Sequence, residues 1–75
     1  MPRTRTRFRL QELLDERGVK QGELAARARL SPTTVNRMCR NLTDGVSLAT
    51  LDAIADALEC DPREVITTEP DKRRR

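Results

Sequence analysis

Arg37, Arg40 and Thr33 share one side of a short segment, Ser31 to Leu42, whose apolar residues recur with helical spacing. With Val35 set at zero on a wheel of about 100° per residue, Val35, Met38, Cys39 and Leu42 fall within about 60° of one another's mean. Thr33, Arg37 and Arg40 gather near the opposite pole, and Thr34, Asn36 and Asn41 flank them. That outward side holds two Arg, two Asn and two Thr and no acid, in a chain with 12 acidic residues. Such side chains suit phosphate oxygens and base edges. An α-helix fits the major groove of B-form DNA, where Arg can span O6 and N7 of guanine. A solvated polar face, with no partner, is the competing reading of the same residues.

Other chemistry is largely excluded. The chain has 75 residues, 36% apolar and 36% charged, with no His, Trp or Tyr and one aromatic, Phe8. A chain of this size buries only about 60% of its unfolded surface, which leaves room for one domain and no cleft between two. Without His the usual general base and the commonest metal ligand are missing. Cys39 and Cys60 form no CxxC pair, and no zinc set can be assembled around them. They read as two packing thiols of a reduced protein. Paired carboxylates such as Asp15-Glu16 have no chemical partner nearby in sequence. The expectation is therefore no enzyme, no cofactor and no metal. The Arg-rich start carries no apolar stretch behind it, so no signal peptide is expected, and no apolar run reaches membrane-spanning length.

The net charge of +3 conceals a segregation. Residues 1–9 carry +4, residues 10–18 carry −2, residues 19–41 carry +4, residues 42–69 carry −6 and residues 70–75 carry +3. A field sided in this way suits a polyanion on one face.

The elements that would position the outward residues are all helical by period. A first helix is predicted over about 8–17, ended by Gly18, with Phe8 packing back on Leu13 as a hydrophobic staple. A second runs about 21–28. A third, about 32–40, begins with Ser31 as N-cap and Pro32 in the first turn. Thr43-Asp44-Gly45 reads as a turn. Ser47 caps a fourth helix, about 48–59. Asp61-Pro62-Arg63-Glu64 opens a short fifth through Val65 and Ile66. The expected fold class is all-α: five short helices packed steeply about one core of Leu10, Leu13, Leu14, Val19, Leu24, Ala25, Ala28, Leu30, Val35, Met38, Leu48, Leu51, Ile54, Leu58, Val65 and Ile66. The expected boundaries are a basic flexible N-terminal arm at 1–7, the folded domain at 8–67 and a flexible basic C-terminal tail at 68–75.

The stretch QGELAARARLSPTTVNRMCRNL, residues 21–42, resembles the helix-turn-helix of the lambda-repressor-like (Cro-like, XRE-like) DNA-binding family. The likeness extends to LQELLDERGVKQGELA before it and SLATLDAIADALECDPREV after it, about residues 8–67 in all. It implies a compact five-helix domain and a sequence-specific regulator of transcription, a repressor, that binds double-stranded DNA as a homodimer. In that family the Gln that opens helix 2 bonds a phosphate, a place taken here by Gln21. Bases are read from the first turn of helix 3 and one turn later, here Pro32, Thr33 and Arg37. Thr34 and Asn36 flank them, and Arg40 lies where the backbone approaches. Three departures stand out: Arg29 replaces the Gly common in the turn, Pro32 offers no polar side chain, and Lys20 replaces a Ser or Thr cap and is free to reach a phosphate. Arg3, Arg5 and Arg7 are expected to follow the DNA backbone or enter a narrow minor groove. The dimer surface is expected at the end of helix 4 with Val65 and Ile66. The implied location is cytoplasmic, with the nucleoid, and no membrane is involved. The alternatives are an antitoxin that binds DNA and a small toxin protein, or a protein-binding module that has kept the fold.

Overall fold

The computed structural model describes residues 4–43 and 45–70. Strand β1 (Thr4–Phe8) leads into helices α1 (Leu10–Arg17), α2 (Gln21–Ala28), α3 (Pro32–Cys39) and α4 (Leu48–Leu58), a 3₁₀ turn (Pro62–Val65) and strand β2 (Ile66–Pro70). Helix α2 packs on α3 and α4, and the 3₁₀ turn closes the body against α4 and α1. The shared core is Leu10, Leu13, Leu14, Leu24, Ala25, Val35, Met38, Ile54, Leu58 and Val65. Two expectations about burial fail. Leu48, the first residue of α4, is 79% exposed, and Ala55 is buried instead. Val19, Ala28, Leu30 and Leu51 pack only part-buried against the core, and Ile66 is half-buried.

The fold is not all-α with five helices. The capping box at Asp61 forms as expected: its carboxylate accepts from the Arg63 N–H at 2.8 Å, and the Glu64 carboxylate accepts from the Asp61 N–H at 3.2 Å. Yet only one 3₁₀ turn follows. Val65 is anchored in the core, and the chain leaves it extended at Ile66 (φ −122°, ψ 158°) into a Thr-rich stretch that ends at a proline. Helix 1 likewise starts at Leu10 rather than near residue 8, since Phe8 belongs to a strand. The expected flexible arms are paired with each other where they are described. Strands β1 and β2 run antiparallel, with Thr4 opposite Pro70, Thr6 opposite Thr68 and Phe8 opposite Ile66. Residues 1–3 and 71–75 lie outside the described residues, as does Asp44 of the expected turn.

Asn41 locks this ribbon to the helical body. Its side-chain oxygen accepts from the Phe8 N–H at 2.8 Å, and its amide donates to the Phe8 carbonyl at 3.0 Å. The Phe8 main chain therefore faces away from β2. Along a strand the main-chain groups alternate in direction, so Arg5 and Arg7 make the ladder bonds to β2. The Arg9 N–H continues that alternation, donating to the Val65 carbonyl at 2.8 Å.

All four helices end in the same way. Gly18, Arg29, Asn41 and Glu59 have left-handed backbone, with φ of 66°, 58°, 55° and 55°. In each case the next residue, Val19, Leu30, Leu42 or Cys60, donates its N–H to the carbonyl five residues back, at 2.9–3.0 Å. This termination satisfies late carbonyls and turns the chain sharply. Only the first uses glycine. A side chain in this region costs about 1 kcal/mol relative to glycine. Arg29→Gly and Glu59→Gly should each raise the unfolding free energy by up to about 1 kcal/mol, seen as a gain of several degrees in melting temperature by circular dichroism. A lower melting temperature in both variants would contradict the account of strain at these two ends.

Candidate nucleic-acid interface

Helices α2 and α3 are joined by Arg29, Leu30 and Ser31. Arg29 stops α2 in the left-handed conformation, and Leu30 drops part-buried onto the core. Ser31 then restarts the chain: its Oγ accepts from the Thr34 N–H at 3.0 Å, and Pro32 occupies the first turn of α3. Val35 and Met38 are buried at 0% exposure, which fixes the rotation of α3. Pro32, Thr33, Arg37 and Arg40 consequently face solvent, and Thr34 and Asn36 are half-buried. Thr33, Thr34, Arg37, Met38 and Thr43 line a depression of about 250 Å³ beside the outward face.

The cations divide into two populations. Arg5, Arg7, Arg9, Arg17, Arg27 and Arg63 each have a carboxylate partner, the closest contacts lying at 2.7–3.8 Å. Lys20, Arg29, Arg37 and Arg40 have no ion-pair partner among the described residues. All four belong to the segment that spans the two helices and their turn. Among the described residues, positive charge without an internal partner is thus concentrated on α3, its turn and the start of α2.

Residues 9–71 match the profile of the Cro/C1-type HTH DNA-binding domain. The chain belongs to that family. It is similar to a solved chain from Bacteroides fragilis described as a candidate DNA-binding protein, at 30% identity and a TM-score of 0.76, covering 84% of this chain and 100% of that one. It is also similar to the restriction-modification controller protein C.AhdI from Aeromonas hydrophila, at 36% identity and a TM-score of 0.69, covering 75% and 83%. The transcriptional regulator VanUg matches at 33% identity and a TM-score of 0.71, covering 91% and 89%. A search of curated protein sequences finds no match. The Cro/C1-type chain is a DNA-binding transcription regulator. Among the described residues no helix is long and apolar enough to cross a membrane, and no group of three His, Cys, Asp or Glu is placed to hold a metal ion.

The remaining sequence-predicted residues are placed unevenly. Gln21 is not a free side chain. Its Nε2 donates to Gln11 Oε1 at 2.7 Å, and its Oε1 accepts from Asn36 Nδ2 at 3.2 Å. Gln11 in turn donates to Asp15 at 2.8 Å. An amide relay therefore ties α1 through α2 to α3. Nothing in the period of α1 marks Gln11 for this part, since the pairing joins residues ten apart across two helices. Lys20 is exposed and caps α2 only with its main chain, its N–H donating to the Glu23 carboxylate at 3.0 Å. Arg5 and Arg7 are in β1, not in a free arm. Glu69 bonds both, at 3.4 and 2.7 Å, and Glu12 bonds Arg7 at 3.0 Å. Arg3 lies outside the described residues. Val65 and Leu58 are buried in the core of one chain, which removes most of the dimer surface expected there.

The two thiols are free and part-buried. Burial, with a contribution from the Asp15 charge, pushes Cys39 up to about 11, and burial also raises Cys60. Both stay protonated and unreactive at neutral pH.

The hydrogen bond from Arg7 holds the Glu12 carboxyl below its ordinary 4.5, and the Arg63 side chain holds Asp61 below its ordinary 3.8. A pKa lower in the folded state gives stability that is fully present above the unfolded value and lost as pH falls through the folded one. Glu12→Gln should therefore flatten the decline in stability below about pH 4.5 and leave the region above pH 6 parallel to wild type, as followed by urea denaturation across pH. An unchanged acid limb would mean that the Arg7 contact does not act on stability.

Proposed function

We propose that this regulator recognises a specific duplex sequence by laying α3 in the major groove, and that it represses transcription by occupying promoter DNA. Thr33 and Arg37 read base edges, and Pro32 makes apolar contact with a thymine methyl or sugar. Thr34 and Asn36 flank these contacts. Gln21 holds a phosphate through its remaining amide hydrogen and its main-chain N–H at the start of α2, where helix geometry leaves that donor without an internal partner. Lys20 and Arg40 add phosphate contacts on either side. The reading is carried by one observation: the cations without an internal partner among the described residues cluster beside an outward helix face that has no acid.

The arm contributes differently. Arg5 and Arg7 already have carboxylate partners, so a phosphate contact there exchanges one anion for another. Their expected effect on affinity is smaller than that of Lys20 or Arg40, because the first contact must be given up for the second. A homodimer reading two half-sites about one turn apart is the assembly this geometry of recognition calls for.

The test is selection of bound duplexes from a random pool, followed by competition binding with variants. Arg37→Ala should weaken the selected site by about 1–3 kcal/mol and relax preference at one base pair. Lys20→Ala and Arg40→Ala should weaken all sequences alike and each reduce the slope of log affinity against log salt by about 1. Binding to the selected site that is indifferent to Arg37→Ala in both strength and base preference would reject the placement of α3.

A further inference from the structure

A second depression shares no residue with α3 or its turn. It measures about 290 Å³ and is lined by Arg17, Val19, Arg27, Ala57, Leu58 and Glu59, at the C-terminal ends of α1 and α4. The left-handed terminations shape it. Gly18 turns the chain after Arg17 and sends Val19 back onto the core, and Glu59 does the same for Cys60 after Leu58. Arg27 reaches the depression from the last turn of α2.

Its two guanidiniums are loosely held. Arg17 meets Glu64 and Arg27 meets Glu23, each at 3.8 Å, which is beyond hydrogen-bond length. Among the described residues the arginine side chains that donate hydrogen bonds are those of Arg7, Arg9 and Arg63. Two forks of the shape that grips a carboxylate thus front one depression without a bonded acceptor. Glu59 is exposed beside them and has no ion-pair partner among the described residues. The ends of α1 and α4 add partial negative charge on the same side as Glu59.

We infer that this depression binds a free α-amino acid with a short aliphatic side chain. The ligand carboxylate spans Arg17 and Arg27, its ammonium faces Glu59 and the carbonyl ends of α1 and α4, and its side chain rests on Val19, Ala57 and Leu58. The charges choose this class. A simple organic anion would gain the two guanidiniums but would also face the helix ends and Glu59. A simple amine would be repelled by the two arginines. A molecule that carries a carboxylate and an ammonium on one carbon satisfies both sets at once. The floor sets the side chain. Leu58 is buried and Val19 and Ala57 are part-buried, so little apolar surface is offered and a long side chain would remain in water. So small a ligand makes few contacts, and its dissociation constant is expected on the order of 1 mM. The inference rests on the ends of α1, α2 and α4 and not on how α3 meets DNA.

L-valine is the probe, titrated into the isotope-labelled full chain and followed by amide NMR shifts. The amides of Gly18, Val19 and Glu59 should move along one saturable curve, while those of Arg37 and Met38 stay in place. Two relatives of valine separate the charges: isovalerate lacks the ammonium, and isobutylamine lacks the carboxylate. Each should bind more weakly than valine by about tenfold or more. Arg27→Gln should weaken valine by about tenfold, and Glu59→Gln should erase the preference for valine over isovalerate. Both positions are exposed, circular dichroism checks the fold, and if Arg27→Gln fails to fold the Glu59→Gln result decides. A loss of preference confined to Glu59→Gln is something that a merely structural role would not produce. No saturable shift with valine up to tens of millimolar, equal binding of isovalerate by the wild type, or binding that ignores both substitutions overturns the inference.

Discussion

An eight-residue helix has almost no stability of its own in water. Three of the four helices here are eight residues long and the fourth has eleven, so none persists without the others. What holds them is a shared set of leucines, Val35, Met38, Ile54 and Val65, all at or near zero exposure. Short helices meet one centre only if the chain turns steeply between them. The left-handed terminations at Gly18, Arg29, Asn41 and Glu59 supply those turns, and each delivers its following residue to a bond with the helix just ended. The strain at Arg29 is thus tied to the outward face: the turn that carries it sets how α2 and α3 cross, and so which side of α3 is left to solvent.

The same dependence explains how far the sequence could be read. Helix α2 and the start of α3 were legible because their signals are local: a Ser N-cap, a proline in the first turn and an inward stripe that repeats at helical spacing. Ser47 and Asp61 spoke in the same local way. The ribbon was not legible. Thr4–Phe8 and Ile66–Pro70 each contain few apolar residues, and alternating Arg and Thr look like a solvated tail until the partner strand is known. That partner is some sixty positions away in the chain, and pairing at such separation leaves no periodic trace. The Asn41 latch and the Gln11–Gln21–Asn36 relay share the difficulty, since an amide can bond almost any polar neighbour and its type does not name which.

Charge sorting became visible only in three dimensions. By segments, residues 1–9 and 19–41 carry the same +4, and both qualified as DNA contacts. In the fold they differ. Arg5, Arg7 and Arg9 of the first group are paired with Glu12, Glu16 and Glu69. These pairs are at the surface and individually add little stability, but together they give Arg5, Arg7 and Arg9 each a carboxylate partner. The second group keeps its field. Among the described residues, the cations that keep no carboxylate partner are therefore those of α3, its turn and the start of α2.

In the proposed binding mode, two kinds of contact on α2 and α3 differ in what binding requires of them. Gln21 is held on both sides of its amide by Gln11 and Asn36, so its side chain is already ordered before any ligand arrives. A phosphate bond there loses little further conformational freedom. Arg37 is exposed, with no ion-pair partner among the described residues, and must surrender up to about 2 kcal/mol of rotamer entropy to take one geometry. Only a base pair that accepts both ends of the guanidinium returns more than that loss, because two parallel bonds are made for one ordering. A mismatched pair returns less. In the proposed binding mode, fixed amides would then set a baseline affinity common to every sequence, and the unrestrained arginine would convert a difference in acceptor geometry into a difference in affinity.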